Sequence, residues 1–210
     1  GALSTLPVRD WNRALSAPQL GRPFVLPSPN MPTADTALVY PGGCLLEGTN
    51  MSEGRGHTRP FEIVGAPFVD ASALAAALHG HDLAAAGIVG FVARPLAFQP
   101  TFHKHAAVVC GGVQIHVTDS ERFKPVATYV ALVALAQRRA PDAFEFRTER
   151  YEFVDDIPAF DLLTGSAHAR EAILAGEPIA DIARFVSQPD AEWSEQREMA
   201  MARVAASAWI

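Results

Sequence analysis

Cysteine is scarce in this 210-residue chain, with Cys44 and Cys110 the only two. That count excludes a disulfide scaffold, and no C-x-x-C pair stands ready to hold zinc. The two thiols are read as buried and free, with a single Cys44–Cys110 bridge as the alternative. Basic residues are also few. Lys and Arg number 17 against 23 Asp and Glu, for a net charge of -6. No basic run exists to neutralise a phosphate backbone, so nucleic acid is excluded as a partner. No apolar run is long enough to span a bilayer. Charged residues make up only 19% of the chain and apolar ones 49%. That excludes general disorder and suits one buried core rather than two full domains.

Familiar catalytic signatures are lacking too. There is no G-x-S-x-G elbow, S-x-x-K, H-E-x-x-H or P-loop. The one G-x-G, Gly54-Arg-Gly56, has neither the third glycine nor a following helix, so a dinucleotide fingerprint is rejected. No signal peptide is visible at the front. The chain opens on Gly1 in a stretch that reads like the middle of a protein, and an N-terminal region ahead of it is expected.

Proline marks the first part of what is present. Residues 1–35 carry Pro7, Pro18, Pro23, Pro27, Pro29 and Pro32, which forbids a long helix and predicts an extended linker or wrapping segment. Residues 36–210 are expected to form the domain. Short strands are predicted at 36–40, 44–46, 61–64, 144–146 and 151–153, and longer ones at 87–98 and 112–118. Asp70 or Ser72 caps a helix over 71–79 that stops at Gly80. Pro125 opens a helix through Arg139 with an apolar stripe of Val126, Val130, Val133 and Ala134. The end of the chain reads as helices over 166–175, 179–186 and 190–207. The fold class is therefore α+β, with a mixed or antiparallel sheet, flanking helices and a helical C-terminal end.

The densest chemistry lies in the polar loop from Glu47 to Pro60. Its glycines let backbone approach a ligand, and Arg55, between Gly54 and Gly56, can offer a guanidinium fork to a carboxylate. Asn50, Ser52 and Thr58 supply groups that bond hydroxyls or amides. A polar loop held together by its own Glu–Arg pairs is the plainer alternative. His103 and His105, with His116, have a spacing that would suit a metal if all three lay in strands; hydrogen-bonded histidines or ligand contacts are the competing reading. His79-Gly-His81 reads as a solvated turn. Asp155, Asp156 and Asp161 are paired acids that read better as helix caps than as acid/base groups. Trp193 and Trp209 read as core or interface residues.

Several longer strings occur in order: Leu26-Pro-Ser-Pro-Asn-Met-Pro-Thr33, Ala37-Leu-Val-Tyr-Pro-Gly42, Cys44-Leu-Leu-Glu-Gly-Thr-Asn50, Ser52-Glu-Gly-Arg-Gly56 and Thr58-Arg-Pro-Phe-Glu62. Lys104-His-Ala106, Cys110-Gly-Gly-Val-Gln-Ile-His-Val117 and Asp161-Leu-Leu-Thr-Gly165 follow. Together, from Trp11 onward, they resemble the NamZ family of bacterial exo-β-N-acetylmuramidases. His57 departs from that pattern where Thr is expected, Phe24 and Phe68 where Trp is usual, and Ala106 where Gly is usual.

The resemblance implies a two-part glycosidase. A Rossmann-like N-terminal half would join a smaller, partly barrel-like C-terminal half, with the cleft between them. This sequence corresponds to the second half. The catalytic carboxylate would lie on the first, so this chain alone should be inactive. The whole enzyme would release non-reducing terminal N-acetylmuramic acid from peptidoglycan fragments, with no cofactor and no metal. Glu47, Asn50, Ser52, Glu53, Arg55, His57 and Thr58 would be this half's substrate-binding residues. Arg55 would meet the lactyl carboxylate and Glu47 would orient it. The implied partners are a peptidoglycan-derived saccharide and the chain's own N-terminal half. Self-association is expected of an isolated half, and the periplasm or exterior as its location. The alternative function is a non-catalytic module that binds cell-wall saccharide or packs against a domain.

Overall fold

A computed structural model describes residues 15–188 and 191–206, together with residues 4, 6, 9 and 12. Its centre is a helix, α4 (Pro125–Arg139), whose residues 127–136 are all buried. The predicted stripe is thus too narrow. A helix apolar on every side belongs in the middle of a core rather than on its surface. Pro125 stands at its first turn and Arg138 and Arg139 at its last, as the sequence suggests.

Three strands form an antiparallel sheet beside it: β1 (Ile63–Ala66), β2 (Phe91–Phe98) and β3 (Cys110–Val117). The order is β1-β3-β2, so β1 and β2 are edges. Pro95 lies in β2, paired with Val113, where an edge tolerates its lost N–H. The helix α2 (Ala71–Leu78) is capped by Asp70, whose carboxylate accepts from the Ala73 N–H at 2.9 Å. Short α3 (His81–Ala85) follows. His79 and His81 are exposed around the turn that follows α2, as expected, and His79 Nε2 also accepts from the Ala93 N–H at 3.0 Å, fastening the end of α2 to β2. The chain closes with α5 (Ala159–Thr164), α6 (His168–Leu174), α7 (Ile179–Ser187) and the largely exposed α8 (Ala191–Ala206). Trp193 lies exposed on α8, and Trp209 falls outside the described residues.

The front of the domain departs most from expectation. Residues predicted as strands at 36–40 and 44–46 form α1 (Ala34–Gly43) and a 3-10 turn over Cys44–Gly48. Thr33 caps α1 by accepting from the Thr36 N–H at 3.2 Å, and Asp35 sits in its first turn. Packing explains the rest. A Cβ at Gly42 would stand 2.2 Å from the Pro125 carbonyl oxygen, so the bare glycine lets α1 close on the start of α4. Residues 144–146 and 151–153 form no strand either; they contribute the isolated bridges Thr49↔Phe146 and Tyr151↔Val154. Cys44 and Cys110 are free thiols.

Candidate functional site

The Glu47–Pro60 loop is pinned from below before it presents anything. Ser52 exchanges backbone hydrogen bonds with Gly65 at the edge of β1, and the Phe61 N–H donates to the Glu53 carbonyl at 2.7 Å. Gly54 has φ +75°, and a Cβ there would meet the Ile63 carbonyl oxygen at 2.1 Å. Only glycine fits that turn. The turn throws Glu53 inward, where it is 1% exposed, and Arg55 outward to the rim.

A lattice of charge results. Arg55 Nε donates to Glu53 Oε1 at 2.8 Å and Nη2 donates to Glu47 Oε1 at 2.5 Å. The Tyr151 hydroxyl donates to Glu47 Oε2 at 2.8 Å. Lys104 Nζ donates to Glu53 Oε2 at 3.1 Å and to the carbonyls of Leu46 and Met51. His103 Nδ1 lies 3.1 Å from Glu53 Oε1. Burial alone would raise the Glu53 carboxyl, but Lys104, a backbone hydrogen bond and His103 together hold it below the usual carboxylate range. Burial lowers the Lys104 ammonium despite the attraction of Glu53. A carboxylate kept ionised in this way is a poor proton donor at neutral pH. The lattice suits binding and orientation.

Residues 101–109 pass over this loop as a strap. His103, His105 and Ala107 all have positive φ, at 68°, 56° and 62°, a conformation costly for residues with a Cβ. The winding delivers His103 and Lys104 to Glu53, and His105 Nε2 to the Asn50 carbonyl at 2.7 Å. A third wall comes from residues 145–152. The Asn50 amide carries it, donating to the Ala143 carbonyl at 2.8 Å and accepting from the Glu145 N–H at 3.1 Å. Two hollows open between the walls, of about 520 and 380 Å³. The first reaches Thr49, Asn50 and His105; the second reaches Glu47, Arg55 and Tyr151. His103 and Arg147 line both.

The structure therefore gathers Glu47, Glu53 and Arg55 at one place. Asn50 borders the larger hollow, but its amide is tied to the 143–145 backbone. Ser52 is buried and its hydroxyl accepts from the Gly54 N–H. His57 turns away and packs edge-on against Phe98, its Nδ1 buried without a partner. Thr58 is exposed and borders neither hollow. His116 sits on β3 opposite Val92, and among the described residues no three His, Cys, Asp or Glu are grouped to hold a metal. Asp161 is gripped by Arg170 and belongs to the α5–α6 packing. Sequence reasoning missed Lys104, Arg147 and Tyr151 as members of the site. The Lys104-His string was the one available sign, since nothing local marks residues 147–151.

Residues 38–201 match the family described as exo-beta-N-acetylmuramidase NamZ, C-terminal. This chain belongs to that family. The NamZ C-terminal match takes in the lattice, the strap and the third wall. The chain is also 36% identical over 196 residues to the peptidoglycan beta-N-acetylmuramidase NamZ of Bacillus subtilis, covering 93% of this chain and 44% of that protein. A crystal structure of a DUF1343 family protein from Bacteroides fragilis aligns with 78% of this chain and 41% of its own, at 25% identity and a TM-score of 0.62. The chain thus spans less than half the length of either relative.

Proposed function

We propose that this NamZ C-terminal chain supplies one wall of the saccharide site of a peptidoglycan exo-β-N-acetylmuramidase, whose catalytic carboxylate lies on a preceding Rossmann-like half. The observation that carries the reading is the groove beside Arg55. Glu47 and Glu53 use Arg55 Nε and Nη2, which leaves the Nη1 donors for a ligand. Hollows of a few hundred Å³ with convergent polar groups suit one or two sugar units. The ionised state of Glu53 fits a binding role and leaves proton donation to the other half. Residues 36–210 are the wall-forming domain and 1–35 the segment that wraps onto its neighbour. A partly barrel-like sheet would be completed only in the assembled protein.

The test uses the full-length protein with a chromogenic β-N-acetylmuraminide. Wild type should turn it over, and Arg55→Lys should lose at least about tenfold in kcat/KM, since an ammonium cannot span Glu47, Glu53 and a sugar at once. The isolated 210-residue chain should be inactive. No turnover by the full-length protein, or full activity in Arg55→Lys, would overturn the reading.

A further inference from the structure

Arg147 is the most loosely held cation of the groove. Arg55 is matched by carboxylates at 2.5 and 2.8 Å. Lys104 is matched by Glu53 and two carbonyls. In that lattice Glu47 and Glu53 balance Arg55 and Lys104, so the floor carries little charge of its own.

Arg147 differs in each respect. Among the described residues, Glu149 is its one carboxylate within ion-pair distance, at 3.6 Å, and Glu149 is 76% exposed. Such a surface pair is screened by water and contributes little. Arg147 Nη2 donates to its own loop, at the Arg150 carbonyl, and the guanidinium lies 5.7 Å over the Tyr151 ring. Yet the residue is firmly placed. Its N–H donates to the Gly48 carbonyl at 2.9 Å, next to the Thr49↔Phe146 bridge. Its side chain is one-third exposed and borders both hollows. A fixed backbone, a part-exposed guanidinium and a weak, displaceable carboxylate are what a site for an incoming carboxylate requires. Glu145, Glu149 and Glu152 also border the hollows as exposed acids. Their field opposes long-range attraction of an anion, so recognition must come through direct contact.

We propose that Arg147 is the specificity-determining residue that reads a carboxylate on the saccharide where the two hollows meet. This moves to Arg147 the contact expected of Arg55, and leaves the Arg55 lattice to orient hydroxyl and amide groups. The proposal rests on the saccharide site proposed above.

The experiment uses the full-length protein with N-acetylmuramic acid and its methyl ester as competing inhibitors of chromogenic-substrate turnover. Wild type should bind the acid more tightly than the ester. Arg147→Gln should weaken the acid about tenfold to a hundredfold and leave the ester within about twofold, since only the charged bidentate contact is lost. Arg147→Lys should fall between, and serves if the Gln variant folds poorly. The acid-to-ester ratio does not depend on the folded fraction. An unchanged ratio, or equal weakening of both inhibitors, would overturn the assignment while leaving the saccharide site standing. Absence of wild-type turnover would instead remove the site itself.

Discussion

Asn50 and Glu145, far apart in sequence, are joined twice: the Asn50 N–H donates to the Glu145 carbonyl at 2.9 Å, and the Glu145 N–H donates to Asn50 Oδ1 at 3.1 Å. A third bond runs from Asn50 Nδ2 to the Ala143 carbonyl. One side chain thus stitches the third wall of the groove to the loop that forms its floor. Asn50→Ala should cost about 1–3 kcal/mol, because two backbone groups lose their partner. Urea denaturation of the chain measures that loss. Hydrogen exchange should show the amides of residues 145–150 opening first, whereas unchanged protection there would refute the stitching role.

Glu53 makes the domain sensitive to acid. Its folded-state carboxyl titrates below the ordinary value, with burial opposing and Lys104 prevailing. Stabilisation from this group is therefore complete above about pH 5 and disappears as pH falls through the folded-state value. Glu53→Gln should lower stability by about 3 kcal/mol at neutral pH, since Lys104 keeps only carbonyl partners. It should also flatten the decline of Tm between pH 6 and 3. A variant with the wild-type slope would show that other carboxylates carry the acid response.

Asp161 offers a contrast between stability and activity. Arg170 Nε and Nη2 grip its carboxylate at 2.8 and 2.7 Å, and Asp161 is 5% exposed. Asp161→Asn should cost about 2 kcal/mol by weakening a charge-assisted pair between α5 and α6. Turnover by the full-length protein should stay within about twofold of wild type. A large loss of kcat with unchanged Tm would assign Asp161 to the chemistry instead.

Two glycines should respond very differently to alanine. At Gly42 the added methyl meets the Pro125 carbonyl at 2.2 Å, and backbone cannot give way cheaply. Gly42→Ala should cost about 3 kcal/mol or more. Gly176 has φ +75° and nothing within 4 Å of the added methyl, so Gly176→Ala should cost about 1–2 kcal/mol, from backbone strain alone. Thermal melts of the two variants give the comparison.

Much of the fold was legible because its signals are local. Asp70 and Pro125 mark the starts of α2 and α4, and the strand expected over 112–118 overlaps most of β3. The helix α1 was not legible. Leu38-Val-Tyr-Pro-Gly-Gly43 reads as strand and turn, and becomes helix because Gly42 and Gly43 let it press on Pro125, Tyr129 and Phe61. The floor of the groove was legible as a glycine-rich polar loop, and Glu47, Glu53 and Arg55 are indeed neighbours. Its far wall was not. Arg147 and Tyr151 arrive through the Asn50 stitch, a long-range pairing that leaves no periodic trace in the sequence.

The strap carries an implication for how this protein can diverge. Left-handed backbone at positions 103, 105 and 107 bars β-branched replacements and admits Gly, Asn, Asp or His most readily. Mutational drift there is channelled, whatever the side chains do. An imidazole at 103 or 105 already suits that main chain, so drift there should run among His, Asn, Asp and Gly, and Ala107 is the position where glycine would relieve most strain.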